Sequence, residues 1–129
     1  MGYLNELGKI ALKTTRSKGF MIKTDEDLAR QLLMMHSEIS EACEADRGDK
    51  FTAEGINDLL SNPPSILTDD EFMKFYEEHV KGMFEEEMAD LLIRNIQYCA
   101  YRNLDLDAHV AAKMRYNSLR PHKHGGKKY

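Results

Sequence analysis

Residues 24–48 place the first constraint on the fold. Thr24 stands before three acids, Asp25, Glu26 and Asp27, which is an N-cap followed by a first turn whose carboxylates offset the positive end of a helix dipole. The helical pattern then runs unbroken to about Arg47, where Gly48 is expected to stop it. A helix of that length has to bury one face against other helices. At roughly 100° per residue, Leu28, Leu32, Met35, Ile39 and Ala42 form its apolar stripe, and Met34, Glu38, Glu41 and Ala45 form a column on the border of that stripe. Two acids in line with a Met and an Ala are expected to be part-buried. His36 falls at the edge of the core, where a histidine bonded to a neighbour is expected, and the Met34–Met35 pair fills core space.

The segment FEEEMADLLIR, residues 84–94, repeats the arrangement. Met83, Glu87, Asp90, Arg94 and Tyr101 share one column, beside an apolar stripe of Met88, Leu92, Ile93, Ile96 and Cys99. Glu38 with Glu41 and Glu87 with Asp90 are each three residues apart, so each pair presents its oxygens in one direction. With 31% of residues charged, such pairs can simply be solvated faces. Four part-buried carboxylates, however, repel one another and lose hydration, which apolar packing does not offset and a divalent cation does. Mg²⁺ suits them, with Mn²⁺ as a second choice: it takes oxygen ligands, keeps several waters and is commonly shared between carboxylates and substrate phosphates.

The remaining chain reads as helices joined by short connections. Residues 3–17 form a first helix with Leu4, Leu7, Ile10 and Ala11 inward, ended by Lys18 and Gly19. Residues 49–67 are expected to be a loop carrying one short helix, with Pro63 and Pro64 forbidding helix continuation. Thr68 and Glu71 form a capping box, and a helical pattern follows to about Arg102, with Gly82 marking a break or bend. Phe72, Phe75, Tyr76, Val80 and Phe84 supply an apolar stripe there, read as core or subunit interface. Asp105 caps a last helix that ends near Leu119, and Pro121 begins the tail. The expected architecture is all-α, a bundle of four or five helices in one domain over 1–120, with a basic tail over 121–129.

Charge and cysteine usage narrow the function classes. The formal net charge is −4, so no global basic field announces a nucleic-acid partner. No run of eighteen apolar residues and no signal pattern are present, which points away from a membrane and towards a cytoplasmic protein. Cys43 and Cys99 lie inside helical patterns and outside any disulfide or CxxC framework, in keeping with a reducing compartment and a core role. After Asp107 the acids stop, while Lys113, Arg115, Arg120, Lys123, Lys127 and Lys128 accumulate. Lys113, Asn117 and Arg120 follow i, i+4, i+7 on one helix face, a clamp suited to phosphate oxygens, and Gly125–Gly126 would let the tail fold over a ligand.

Glu-x-x-Glu on one helix, Glu-x-x-Asp on a later one and the run KMRYNSLRPHKHGGKK after them resemble the MazG-like all-α nucleoside triphosphate pyrophosphohydrolases, over residues 28–47 and 84–124. Two features differ from the usual family pattern: Ser37 stands where a Glu commonly precedes the first motif, and 45 residues separate Glu41 from Glu87. The resemblance implies a MazG-like bundle, a homodimer or homotetramer, and hydrolysis of a (d)NTP to a (d)NMP and pyrophosphate. In that scheme Glu38, Glu41, Glu87 and Asp90 hold Mg²⁺, Glu41 takes the proton of the attacking water, and Lys113, Asn117 and Arg120 bind the phosphates. Two alternatives stand beside it: a relative acting on another nucleotide metabolite, such as a phosphoribosyl-ATP-like or modified nucleotide, and a non-catalytic helical protein whose acids only bind a cation.

Overall fold

A computed structural model describes residues 2–61, 67–121 and 128, so Pro63, Pro64 and the Gly125–Gly126 pair lie outside the described residues. Its elements are α1 (Tyr3–Ser17), α2 (Asp25–Arg47), α3 (Glu54–Ser61), α4 (Asp69–His79), α5 (Phe84–Tyr101) and α6 (Leu106–Leu119). The all-α expectation holds among the described residues, but the helices number six rather than four or five. The extra one arises where the pattern over 68–102 divides: Gly82 adopts φ +80°, and the chain turns between His79 and Phe84. A side chain is strained there, and glycine is not. No described helix is long and apolar enough to cross a membrane.

The chain forms two compact units, Met1–Met21 with Asn95–Tyr129, and Ile22–Arg94. In the first unit α1 and α6 cap each other. Gly2 offers α1 no side-chain cap, and the Asp107 carboxylate fills that role by accepting from the backbone N–H groups of Leu4 at 3.1 Å and Asn5 at 2.8 Å. Asn5 returns the interaction: its amide donates to Asp105 at 2.8 Å, and its carbonyl oxygen accepts from the Leu106 N–H at 3.0 Å. Asp105 also caps α6 as expected, accepting from the Ala108 N–H, and the Asn5 bond together with that cap holds its carboxyl below the usual range. Gly8 allows α1 to approach α5 closely, because a Cβ there would stand 2.4 Å from the Ile96 carbonyl oxygen. Of the expected inward set on α1, Ile10 is exposed; the buried positions are Asn5 and Gly8.

In the second unit the Thr24 cap forms a full capping box with Asp27, whose carboxyl is held low by the Lys23 and Thr24 N–H groups. At the far end of α2 the left-handed residue is Asp49, φ 55°, while Gly48 stays at φ −86°. The Lys50 N–H then reaches the Ala45 carbonyl at 2.8 Å and the Asp49 N–H reaches Asp46 at 3.0 Å, a Schellman closure one residue later than Gly48 suggested. The next residues clamp the start of α5. The Lys50 carbonyl accepts from the Phe84 N–H at 2.9 Å, the Phe51 and Phe84 rings meet at a tilt with centroids 5.2 Å apart, and buried Thr52 donates from its backbone and its hydroxyl to Glu85. Burial alone would raise the Glu85 carboxyl, but the Thr52 donors outweigh it and hold it low. From α4, the Tyr76 hydroxyl donates to Glu86 at 2.9 Å, and the Gly82 N–H reaches the other oxygen of Glu86 at 2.5 Å.

The buried line on α2 is Glu38, Ala42 and Ala45 rather than the stripe centred on Leu32 and Ile39, which are 47% and 52% exposed. Met88, Leu92 and Ile93 on α5 are exposed as well. His36 and Cys43 also lie at the surface rather than in the core, because both fall on the side of α2 away from that buried line. Gly8→Ala should destabilise the protein by about 1–3 kcal/mol through overpacking, despite the better helix propensity of Ala. Gly55→Ala on α3, where nothing lies within 4 Å of the new Cβ, should be neutral or up to about 1 kcal/mol stabilising. Chemical denaturation of the two variants checks the contrast.

Candidate functional site

The clamp on the first turn of α5 fixes the direction of Glu87, and the long α2 brings Glu38 and Glu41 to meet it. One carboxylate oxygen from each of Glu38, Glu41 and Glu87 lies within 4.8 Å of the others. Their surroundings differ. Glu38 is 4% exposed, Glu87 is half-buried and Glu41 is exposed, so the part-burial expected of both acids on α2 is met fully at one and not at the other. Asp90, one turn beyond Glu87, adjoins this trio and is half-buried.

Among the described residues, Glu38 alone of these acids has an ion-pair partner. Arg94 donates from Nε to Glu38, and its guanidinium sits one further turn along the column of Glu87 and Asp90. The carboxyls of the other three acids are all raised. Glu41 is raised above the usual range first by a hydrogen bond shared with Glu38, then by lost hydration and the Glu38 charge, with Arg94 opposing. Asp90 is raised by burial and by the charges of Glu38 and Glu86, again against Arg94. Glu87 is pushed up to about 7, chiefly by lost hydration and then by the charges of Glu41, Glu86, Glu38 and Asp90. Tyr76, half-buried beside the same group and bonded to Glu86, is pushed up to about 12, chiefly by lost hydration.

Beside Glu41 and Glu87 opens a cleft of about 670 Å³, whose walls include Ser37, Arg47, Lys50 and Gly82. That volume is in the range of small-molecule sites. Arg47 is held by Glu44 at 3.0 Å. Lys50 lines the same cleft and has no ion pair among the described residues. Neither Lys50 nor Arg94 stood out as a site residue in the sequence. Arg94 had a signal, its place in the Glu87 column, whereas Lys50 has none, since its position comes from the Schellman turn.

The expected phosphate clamp belongs to the other unit. Lys113 and Asn117 lie on α6 and Arg120 is its C-cap residue. The Lys113 ammonium is 4.7 Å, and the Arg120 guanidinium 5.7 Å, from the centre of the Tyr116 ring, so both cations lie against one aromatic ring. No family model, curated protein or solved structure matches the chain.

The raised Glu87 carboxyl carries a stability consequence for metal-free protein. Its ordinary value is 4.5 and its folded value about 7, so folding favours the protonated form: the contribution is complete below 4.5 and is lost as pH rises through 7. Glu87→Gln should therefore melt a few degrees above the wild type at pH 8 in the presence of a chelator, and close to it at pH 4.5. Parallel melting curves across that range would show that Glu87 is not strained by its neighbours.

Proposed function

We propose that the chain is a Mg²⁺-dependent nucleoside triphosphate pyrophosphohydrolase that releases a nucleoside monophosphate and pyrophosphate. The observation that carries this reading is the convergence of Glu38, Glu41 and Glu87 from two helices at the edge of a cleft. The donor set suits the ion. Octahedral Mg²⁺ with ligands at about 2.1 Å separates neighbouring oxygens by about 3 Å and opposite ones by about 4.2 Å. Oxygens within 4.8 Å of one another are one small side-chain adjustment from that geometry. The sequence resemblance to the MazG-like enzymes, with Asp90 as a fourth ligand, supports the same assignment.

When bound, the ion supplies positive charge to phosphate oxygens and lowers the pKa of a coordinated water. The remaining work falls to the protein. Glu38, Glu41, Glu87 and Asp90 hold the ion, and Arg94 fixes the rotamer of Glu38. Glu41, exposed to the cleft and raised in pKa, takes the proton of the attacking water as the bond between the α- and β-phosphates breaks. Lys113, Asn117 and Arg120 are proposed to contact the phosphates.

Leu32, Ile39, Met88, Leu92 and Ile93 leave apolar surface on α2 and α5, which supports assembly into a homodimer or homotetramer. The Arg94–Glu38 pair favours a second reading, in which the acids belong to a structural ion-pair network that holds α2 on α5 without catalysis.

A panel of ribo- and deoxynucleoside triphosphates assayed for pyrophosphate release with Mg²⁺ decides between them. Glu38→Gln and Asp90→Asn should each remove nearly all turnover with the helical signal intact; wild-type rates in both would overturn the role of the acids, and no pyrophosphate release by the wild type would leave only the structural network. Arg120→Ala should lower kcat/KM by roughly ten- to a hundredfold, the loss of one charge-assisted phosphate contact, with Mg²⁺ affinity unchanged.

A further inference from the structure

We infer that Lys50 binds the phosphate group of a cation-bridged di- or triphosphate in the cleft beside Glu41 and Glu87, an inference that rests on the proposed pyrophosphohydrolase reading. Three observations converge on it. The backbone of Lys50 is tied at both ends: its N–H closes the last turn of α2 on Ala45 at 2.8 Å, and its carbonyl accepts the first N–H of α5, from Phe84, at 2.9 Å. These are the two helices that carry Glu41 and Glu87. The stem of the side chain therefore starts from a point fixed relative to both acids, so little backbone ordering is lost when a ligand arrives.

Lys50 lines the cleft together with Glu41 and Glu87. The nearby guanidinium groups are already engaged, Arg47 with Glu44 and Arg94 with Glu38, whereas Lys50 has no ion pair among the described residues. A lysine in an acid-lined cleft that is not spent on a carboxylate is available for an anion. A bare anion would be repelled by Glu41 and Glu87. A polyphosphate that arrives with a divalent ion is not repelled: the ion faces the carboxylates, and the oxygens left uncovered face a compact ammonium charge, a familiar mode of lysine–phosphate contact. Adjacent diphosphate or triphosphate groups present both requirements at once, which a single carboxylate or an uncharged ligand does not.

The test uses the full chain and inorganic tripolyphosphate as probe, titrated calorimetrically with Mg²⁺ into wild type, Lys50→Met and Lys50→Arg, beside nucleotide kinetics. Lys50→Met should weaken tripolyphosphate binding and raise KM by roughly ten- to a hundredfold, with kcat falling less. Melting temperature should stay at the wild-type value, because the described contacts of Lys50 are made by its backbone. Lys50→Arg should recover most of the binding. Equal tripolyphosphate affinity and equal KM in Lys50→Met and a catalytically active wild type would overturn the role of Lys50 and leave the enzymatic reading standing. Wild-type protein that binds tripolyphosphate through Lys50 yet hydrolyses no nucleotide would support Lys50 and overturn the enzymatic reading instead.

Discussion

Carboxylates on α2 and α5 are held closer together than their charges favour, and much of the Ile22–Arg94 unit is arranged around that conflict. Bringing Glu38, Glu41 and Glu87 within 4.8 Å of one another removes water from groups that remain anionic at neutral pH in solution. Arg94 answers for one of them, at the buried Glu38, where an uncompensated charge would cost most. The others shift upwards, Glu41 first through its hydrogen bond with Glu38, and Glu87 and Asp90 chiefly through lost hydration, with neighbouring carboxylate charges adding to each. Protons are a poor substitute for a multivalent cation, which neutralises several carboxylates at once and still leaves valence for a phosphate.

What makes the conflict sustainable is the frame around it. The start of α5 is fixed from two directions, by residues 50–52 after α2 and by Tyr76 on α4 with Gly82 after it. Apart from the Phe84 N–H bond to the Lys50 carbonyl, each contact satisfies a backbone or hydroxyl donor with an acid that precedes Glu87 on the same helix, Glu85 on one side and Glu86 on the other. Three consecutive glutamates thus have three distinct jobs: one ties down Thr52, one ties down α4, and one joins the trio. A static first turn is what the proposed cation site requires, because a loose one would let the carboxylates swing apart.

The helix ends were legible in the sequence because caps are local chemistry. Thr24, Thr68 and Asp105 each accept from a backbone N–H three residues on, where the residue types predicted it. Glu38, Glu41 and Glu87 were legible too, since spacing by three and by seven survives whatever the helices pack against. Hydrophobic periodicity was less informative. It marked Leu32, Ile39, Leu92 and Ile93 as an inward face, yet these stay exposed in a single chain, for a stripe specifies that a face is apolar and not what covers it. The Gly8 approach to Ile96 and the tie between Lys50 and Phe84 depend on tertiary contacts that no window of sequence contains.

The central claim is that the carboxylate trio is a cation site and not merely a strained surface. Electron paramagnetic resonance of Mn²⁺ added to metal-free protein tests it without reference to any substrate. The account predicts saturable loss of the free-ion signal with the wild type and its abolition in a folded Glu41→Gln, Glu87→Gln double variant. A wild type that leaves Mn²⁺ free in solution, or a double variant that binds it equally well, would contradict the claim.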